Sequence, residues 1–221
     1  MTYTAAAGEL TTAPSTTRRL LAGGALAAPL FVVSALAQAA TRPGYDLTRH
    51  PVSVLSNGDL GWIQIGTFLV TGFLTLGYAV AARRVLSGGR AGTWGPVLLA
   101  VQGAGLVVAG AFRLDPLDEF PPGTPAGQPA SMSWHAMVHN AAGSLAFLPM
   151  IGLCFVLARR FAATGYRRWA ASGRVCGVVF AAGLVWAFTG GRDGALTLFV
   201  GVVAAWLWIA ASAARLRYRA T

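Results

Sequence analysis

Lysine is absent from this chain of 221 residues, and charge of either sign is scarce, with Asp, Glu and Arg making up only 11%. Soluble globular domains carry about 25% charged residues, so an ordinary soluble enzyme is excluded. Acids number only seven, against 17 Arg, which leaves a formal net charge of +10. Cysteine is almost lacking, with two residues and no CxxC spacing, which excludes a disulfide-stapled or thioredoxin-like chain. No basic module with interleaved aromatics accompanies the arginines, so nucleic acid is not the expected partner. Apolar residues, in contrast, fill 55% of the chain, and that composition excludes disorder.

The apolar residues come in long runs. A bilayer core about 30 Å thick needs roughly 20 apolar residues in helical form. Six stretches lack Asp, Glu, Lys and Arg: residues 20–40, 62–82, 94–112, 134–157, 175–190 and 194–214. Within lipid every peptide group has to be bonded inside its own segment, so these stretches are helices. Barrel strands would be shorter and would alternate polar with apolar. The expected fold class is all-α, a polytopic transmembrane bundle of six spans over residues 20–214. Residues 175–190 form the shortest run; Ser172 and Arg174 extend that helix into the headgroup zone, where arginine snorkels. Gly190-Gly191-Arg192-Asp193-Gly194 reads as the tight turn of a hairpin between the last two spans. Pro29 predicts a kink in the first span.

Arginine sorts the connections. Thirteen of the 17 lie before span one, after span two, between spans four and five, and after span six. Only Arg42, Arg49, Arg113 and Arg192 lie on the other side, together with six of the seven acids. The positive-inside rule places both termini in the cytoplasm of a cell-membrane, multi-pass protein. The basic ends attract anionic lipid headgroups. Residues 1–19 are an Ala/Thr-rich cytoplasmic N-terminus without expected order, and residues 215–221 are a basic cytoplasmic tail. Thr17-Arg18-Arg19-Leu20-Leu21 resembles a twin-arginine export signal, but the 21-residue run that follows exceeds a usual signal core of about 7–15 residues. It is therefore kept as span one. Cys154 and Cys176 sit near the cytoplasmic ends of spans four and five, a reducing side, and read as small packing residues.

Nearly all polar chemistry is left to two outer connections, residues 41–61 and 113–133, and to the start of span four. In the first, Pro51 suits the first position of a short helix and Asn57-Gly58 its end, which would place His50 near Ser53. The second, rich in proline, reads as extended and stiff. His135 and His139 are spaced i, i+4 and share a helix face with Ala142, Gly143 and Ala146. Small residues let a neighbouring helix approach, so the pair is expected to point into the bundle. Arg42, Arg49 and Arg113 face Asp46, Asp115 and Asp118 as an ion-pair network that either ties the loops together or binds an anionic headgroup. Trp62, Trp94 and Trp134 open spans as an interfacial belt.

Gly44-Tyr45-Asp46 before His50-Pro51-Val52-Ser53-Val54-Leu55, then Gly61-Trp62-Ile63-Gln64, Phe112-Arg113-Leu114-Asp115-Pro116 and His139 resemble the membrane-protein family called domain of unknown function 998. The resemblance covers roughly residues 20–214. It implies a six-span integral membrane protein of prokaryotes with no established activity. The polar cap is similar, at the level of the site alone, to membrane hydrolases of the alkaline ceramidase and adiponectin receptor type. That likeness implies His50, His135 and His139 as zinc ligands, Asp115 as the acid and Ser53 as the hydroxyl. It departs from those proteins in span number, in the order of Ser and first His, and in the distance of Asp115 along the chain. Zinc would acidify a bound water at an open fourth position, with Asp115 as base.

Two functional readings follow. One is a non-catalytic membrane protein whose cap binds a lipid or a partner, with Arg42, Asp46, Arg49 and Arg113 as ligand contacts. The alternative is a zinc-dependent hydrolase of a lipid-like substrate. Haem fits less well, because two ligands on one helix cannot face each other across an iron. Proton-coupled transport lacks intramembrane acids. The arginine sorting is tested by reporter insertions: a reporter at Gly123 should be active outside the cytoplasm and one at Gly165 inside it. The reverse pattern would overturn the orientation.

Overall fold

The structure, a computed structural model, describes residues 14–219. Six long helices account for most of them: α1 (Ser15–Thr41), α2 (Gly61–Val85), α3 (Gly89–Ala111), α4 (Trp134–Ala163), α5 (Arg167–Phe188) and α6 (Gly194–Arg219). A short 3-10 helix, Val52–Ser56, lies between α1 and α2. All six long helices have the length and apolarity to cross a membrane. The all-helical, six-span expectation is met.

The helices outrun the charge-free stretches from which they were anticipated. α1 starts at Ser15 and so takes in Arg18 and Arg19, residues assigned above to a disordered N-terminus; residues 1–13 of that segment lie outside the described residues. α5 starts at Arg167 and carries Arg167, Arg168 and Arg174 in its first turns. Arginine at a helix end keeps its stem along the apolar surface and its guanidinium in the headgroup zone, so charge marks the membrane boundary and not the helix boundary. α1 runs unbroken through Pro29. At the α5–α6 hairpin Gly190 takes a φ of +73° and Asp193 one of +55°, and the Gly191 N–H returns to the Trp186 carbonyl at 3.0 Å, so the turn forms where glycine density placed it.

Each helix packs on the next in sequence, and α6 closes the ring against α1. Small residues set these approaches. A Cβ on Gly103 of α3 would stand 2.9 Å from the Gly72 carbonyl oxygen of α2, and one on Gly105 would stand 2.7 Å from the Ala142 carbonyl oxygen of α4. One on Gly183 of α5 would stand 2.5 Å from the Thr197 carbonyl oxygen of α6. In lipid no hydrophobic force joins helices, so such backbone-to-backbone proximity and its dispersion energy carry the packing. The centre is filled by Leu99, Leu153, Leu157 and Phe180, with Phe31 of α1 against Trp206 of α6 at 5.0 Å between ring centroids. Leu26, Val33, Phe73, Leu148 and Val178 stay exposed, as a lipid-facing surface requires.

Several polar side chains inside the ring are bonded along their own helices or to a neighbour, whereas the buried Gln102 amide and Tyr78 hydroxyl have no partner among the described residues. Thr67, Thr71 and Thr75 each donate to the carbonyl four residues earlier, at 2.8, 2.7 and 2.8 Å. The Gln38 amide of α1 donates to the Gln64 side-chain oxygen of α2 at 2.8 Å. At one end of the ring, arginines lace the helix ends: Arg84 donates to the Thr17 hydroxyl at 3.2 Å, Arg160 to the Ser87 carbonyl at 3.1 Å, and Arg215 lies 4.0 Å over the Tyr166 ring.

Steric contact at the α2–α3 crossing gives a direct check. Gly103→Leu should lower the thermal midpoint in detergent by the equivalent of about 1–3 kcal/mol, the usual cost of overpacking. Gly66→Leu, where an added Cβ meets nothing within 4 Å, should leave it nearly unchanged. Equal effects at both positions would contradict the packing described.

Candidate functional site

The end of the ring opposite the arginine lacing is closed by the connections 42–60 and 112–133, which fold together into a cap with its own core. Val54, Leu55, Leu114, Leu117, Phe120 and Ala136 are buried in it, and Tyr45 and Val52 pack on them. Phe120 is its centre. Tyr45 meets the Phe120 ring edge-on at 5.5 Å, the His50 ring lies 5.7 Å away, and the Arg42 guanidinium sits 5.1 Å over the ring face. The stiff, Pro-rich second connection therefore contributes a folded hairpin rather than an extended strap. Leu117 and Phe120 exchange two backbone hydrogen bonds at 3.1 and 3.0 Å across a turn in which Asp118 and Glu119 have φ of +49° and +71°. Both central residues are positive in φ, the geometry of a type I′ turn.

Holding two non-glycine residues there costs about 1 kcal/mol or more each, and the partners of Asp118 offset that cost. Its carboxylate accepts from the Arg49 Nε–H at 3.0 Å and from the Gly127 N–H at 3.0 Å. Arg49 also reaches Glu119 at 3.0 Å. The Arg49 guanidinium and then the Gly127 amide hold the Asp118 carboxyl below the usual carboxylate range. The Thr48 hydroxyl and amide do the same for Asp46.

His50 is wholly buried, and both of its ring nitrogens are used by the backbone. The Asp46 N–H donates to Nδ1 at 2.9 Å, so Nδ1 carries the lone pair; Nε2–H then donates to the Asp118 carbonyl at 2.7 Å. Its own carbonyl accepts from the Tyr45 hydroxyl at 3.0 Å. Burial, and next the Asp46 charge, push the Tyr45 phenol above its ordinary value, which keeps it a donor. Arg42, buried at the end of α1, gives its guanidinium to the Leu55 carbonyl at 3.1 Å and the Asn57 carbonyl at 2.6 Å. The Asn57 amide donates to the Leu114 carbonyl at 2.9 Å and so joins the two connections. Pro51 precedes the 3-10 helix as its cap, and Asn57-Gly58 ends it, with Gly58 at φ +71°.

The three histidines expected to share a zinc ion are not brought together. His50 has no nitrogen left to give a metal. His135 is exposed and stacks on Trp134 at 3.7 Å between ring centroids. His139 points into the bundle, where Nδ1–H is shared between the Ala109 and Phe112 carbonyls of α3 at 3.0 and 2.7 Å. Among the described residues no group of three His, Cys, Asp or Glu is placed to hold a metal. Asp115 is engaged at the start of α4. Its carboxylate accepts from the Ser133 N–H at 2.7 Å and the Ser133 Oγ–H at 2.6 Å. Ser133 Oγ in turn accepts from the Ala136 N–H at 3.2 Å and caps α4. A carboxylate at a helix N-terminus also suits the helix dipole. Of the expected headgroup contacts, Arg42 and Asp46 are engaged with their own loop and Arg49 with two carboxylates; Arg113 is exposed. Cys154 is buried and Cys176 half-buried, both as free thiols.

Beneath the cap the ring is not filled. A cavity of about 340 Å³ runs from Arg49, Ser53 and Gln128 down past His139 to Phe31, Phe68, Met150 and Trp206. Its flank is formed by Asn140, Gly143 and Ser144 of α4 and by Ala187, Phe188 and Ala195 of the α5–α6 hairpin. Asn140, Ser144 and Phe188 line it and are also exposed, so the cavity opens sideways between α4 and the hairpin. Ser53 and His139 share this cavity; His50, His135 and Asp115 do not line it. Gln128 and Ser144 carry no distinguishing signal in the sequence, where an amide in a loop or a hydroxyl in a span has no pattern of its own.

The family described as "Protein of unknown function (DUF998)" matches residues 25–215. No curated protein and no solved structure matches the chain.

The cap should respond to acid. Because Asp118 titrates lower when folded than when unfolded, its contribution is complete above about pH 4 and is lost as the pH falls further. The thermal midpoint of the wild type should therefore drop more between pH 5 and pH 3 than that of Asp118→Asn, which should already be lower at pH 7. Parallel pH profiles for the two proteins would contradict this role.

Proposed function

Since the chain belongs to the DUF998 family, whose description names no activity, we propose from its own geometry that this integral membrane protein binds an amphiphilic lipid in the cavity beneath its cap. The observation that carries the reading is the polarity of the cavity along its length. The mouth has Arg49, Ser53, Gln128 and Asn140, and the depth has Phe31, Phe68, Met150 and Trp206. A volume of about 340 Å³ falls within the ordinary range for small-ligand pockets. An apolar tail is matched to the depth, and a polar head to the mouth.

Access from the membrane supports a lipid over a water-borne solute. The sideways opening lies between α4 and the α5–α6 hairpin, and Ser144 is ten residues into α4, about 15 Å from its start. α5 is the least buried of the six helices, and its buried residues, Ala170 to Gly183, stop short of the cavity end. With the arginine-rich ends in the cytoplasm, the cap lies outside and the lipid enters from the outer leaflet of the cell membrane. The zinc-hydrolase alternative loses its basis, because its three imidazoles serve three separate places.

Photolabelling tests this reading. A diazirine-bearing long-chain alcohol should crosslink to Phe68, Met150 or Phe199 in the full-length protein. Labelling there should fall at least about fivefold in Gly143→Trp, where the new ring enters the cavity from a backbone with nothing within 4 Å of its Cβ. Labelling confined to lipid-facing positions such as Leu26, Leu148 and Val178, unchanged by the substitution, would refute it.

A further inference from the structure

Among the described polar side chains that line the cavity, His139 is the buried one, and its hydrogen bonding is incomplete. His139 is 5% exposed, and its Nδ1 serves the α3 carbonyls of Ala109 and Phe112. Two carbonyl partners require Nδ1 to carry the proton. The ring lies in a span against the edge of Phe68, with 5.9 Å between centroids, and no carboxylate lines the cavity among the described residues. A buried imidazolium without a counter-charge is costly, so the ring is neutral and Nε2 bears a lone pair. That nitrogen has no hydrogen-bond partner among the described residues. It is not one of the buried polar atoms sealed away from space either, so it is reachable from the cavity that His139 lines. An acceptor in this setting selects for a donor.

The charges around the mouth select in a second way. Arg49 is the charged side chain among the described residues of the lining, and it is held by Asp118 at 2.9 Å and Glu119 at 3.0 Å. Two carboxylates around one guanidinium leave the cluster with an excess of negative charge. An anionic headgroup would have to displace them and then meet their repulsion. Arg42, the buried arginine of the cap, is spent on the Leu55 and Asn57 carbonyls. Arg113 is exposed on the cap but does not line the cavity, so no unpaired guanidinium among the described residues faces a ligand there.

We propose that the ligand is an uncharged long-chain lipid bearing a hydroxyl group, and that this hydroxyl donates to Nε2 of His139 while the chain fills the apolar depth. This rests on the reading of the cavity as an amphiphile site and names the class of amphiphile. His139 is then a specificity residue with two jobs on one ring: Nδ1 ties α4 to the end of α3, and Nε2 reads the ligand.

The experiment is competition against the diazirine-bearing alcohol on the full-length protein in detergent, with hexadecanol, its methyl ether and hexadecyl phosphate. Hexadecanol should compete about fivefold better than the ether, the worth of one neutral hydrogen bond, and the phosphate should be no better than the ether. In His139→Asn the side-chain amide can still donate to Ala109 and Phe112, but the acceptor at Nε2 is gone. The alcohol-to-ether ratio should fall to near one there, with the ether's own competition unchanged. Equal competition by alcohol and ether in the wild type would overturn the inference and leave the amphiphile site standing, as would the same ratio in wild type and variant. Preference for the phosphate would also overturn it. Absence of cavity labelling in the wild type would remove the amphiphile site and this inference with it.

Discussion

Backbone carbonyls that leave a helix near the edge of a membrane have to find donors, and this demand organises the capped end of the protein. Arg42 covers the Leu55 and Asn57 carbonyls, Asn57 covers that of Leu114, His50 that of Asp118, and His139 those of Ala109 and Phe112. Water can serve such groups on a soluble protein; here the cap is partly dry and folded over a ring of apolar helices. The residues with the richest chemistry are thus mostly committed to structure. What remains for a ligand is the small remainder: one imidazole nitrogen, a serine, and a few amides around an apolar shaft.

The spans were legible in the sequence because lipid imposes a coarse, long-range constraint on composition. Their ends were not, since Arg167, Arg168 and Arg174 remain helical while sitting at the headgroup level. Fine placement failed for a different reason in the histidines. Spacing of i, i+4 put His135 and His139 on one face of α4, and that much holds for His139, which points into the bundle. One turn earlier His135 has passed the end of α3 at Ala111, and it lies exposed against Trp134 instead. Periodicity states the direction of a side chain; the length of the neighbouring helix decides what stands opposite it.

The cap shows the same limit. Pro51 and Asn57-Gly58 marked the short helix, because φ preferences are local. The hairpin at Leu117–Phe120 carries no glycine at its two positive-φ positions, so its local signal is weak, and it forms through tertiary partners such as Arg49, Gly127 and Phe120 packing. The cavity was wholly invisible beforehand. Close glycine approaches hold α5 at Gly173, Gly177 and Gly183, whereas the cavity is lined further along by Asn140 and Ser144 of α4 and Ala195 of α6. A void is a property of how helices diverge, and no residue type announces it.

The occupant we propose for this end, a neutral lipid with a donor on its head, rests on packing, charge and unspent hydrogen-bonding capacity together. The most direct measurement is the lipid retained by full-length protein purified from its membrane in mild detergent, extracted and identified by mass spectrometry beside the Gly143→Trp protein. The account predicts enrichment of an uncharged, hydroxyl-bearing long-chain lipid at about one per chain, absent from the blocked variant. Phospholipids in the proportions of the surrounding membrane, identical in both proteins, would contradict it.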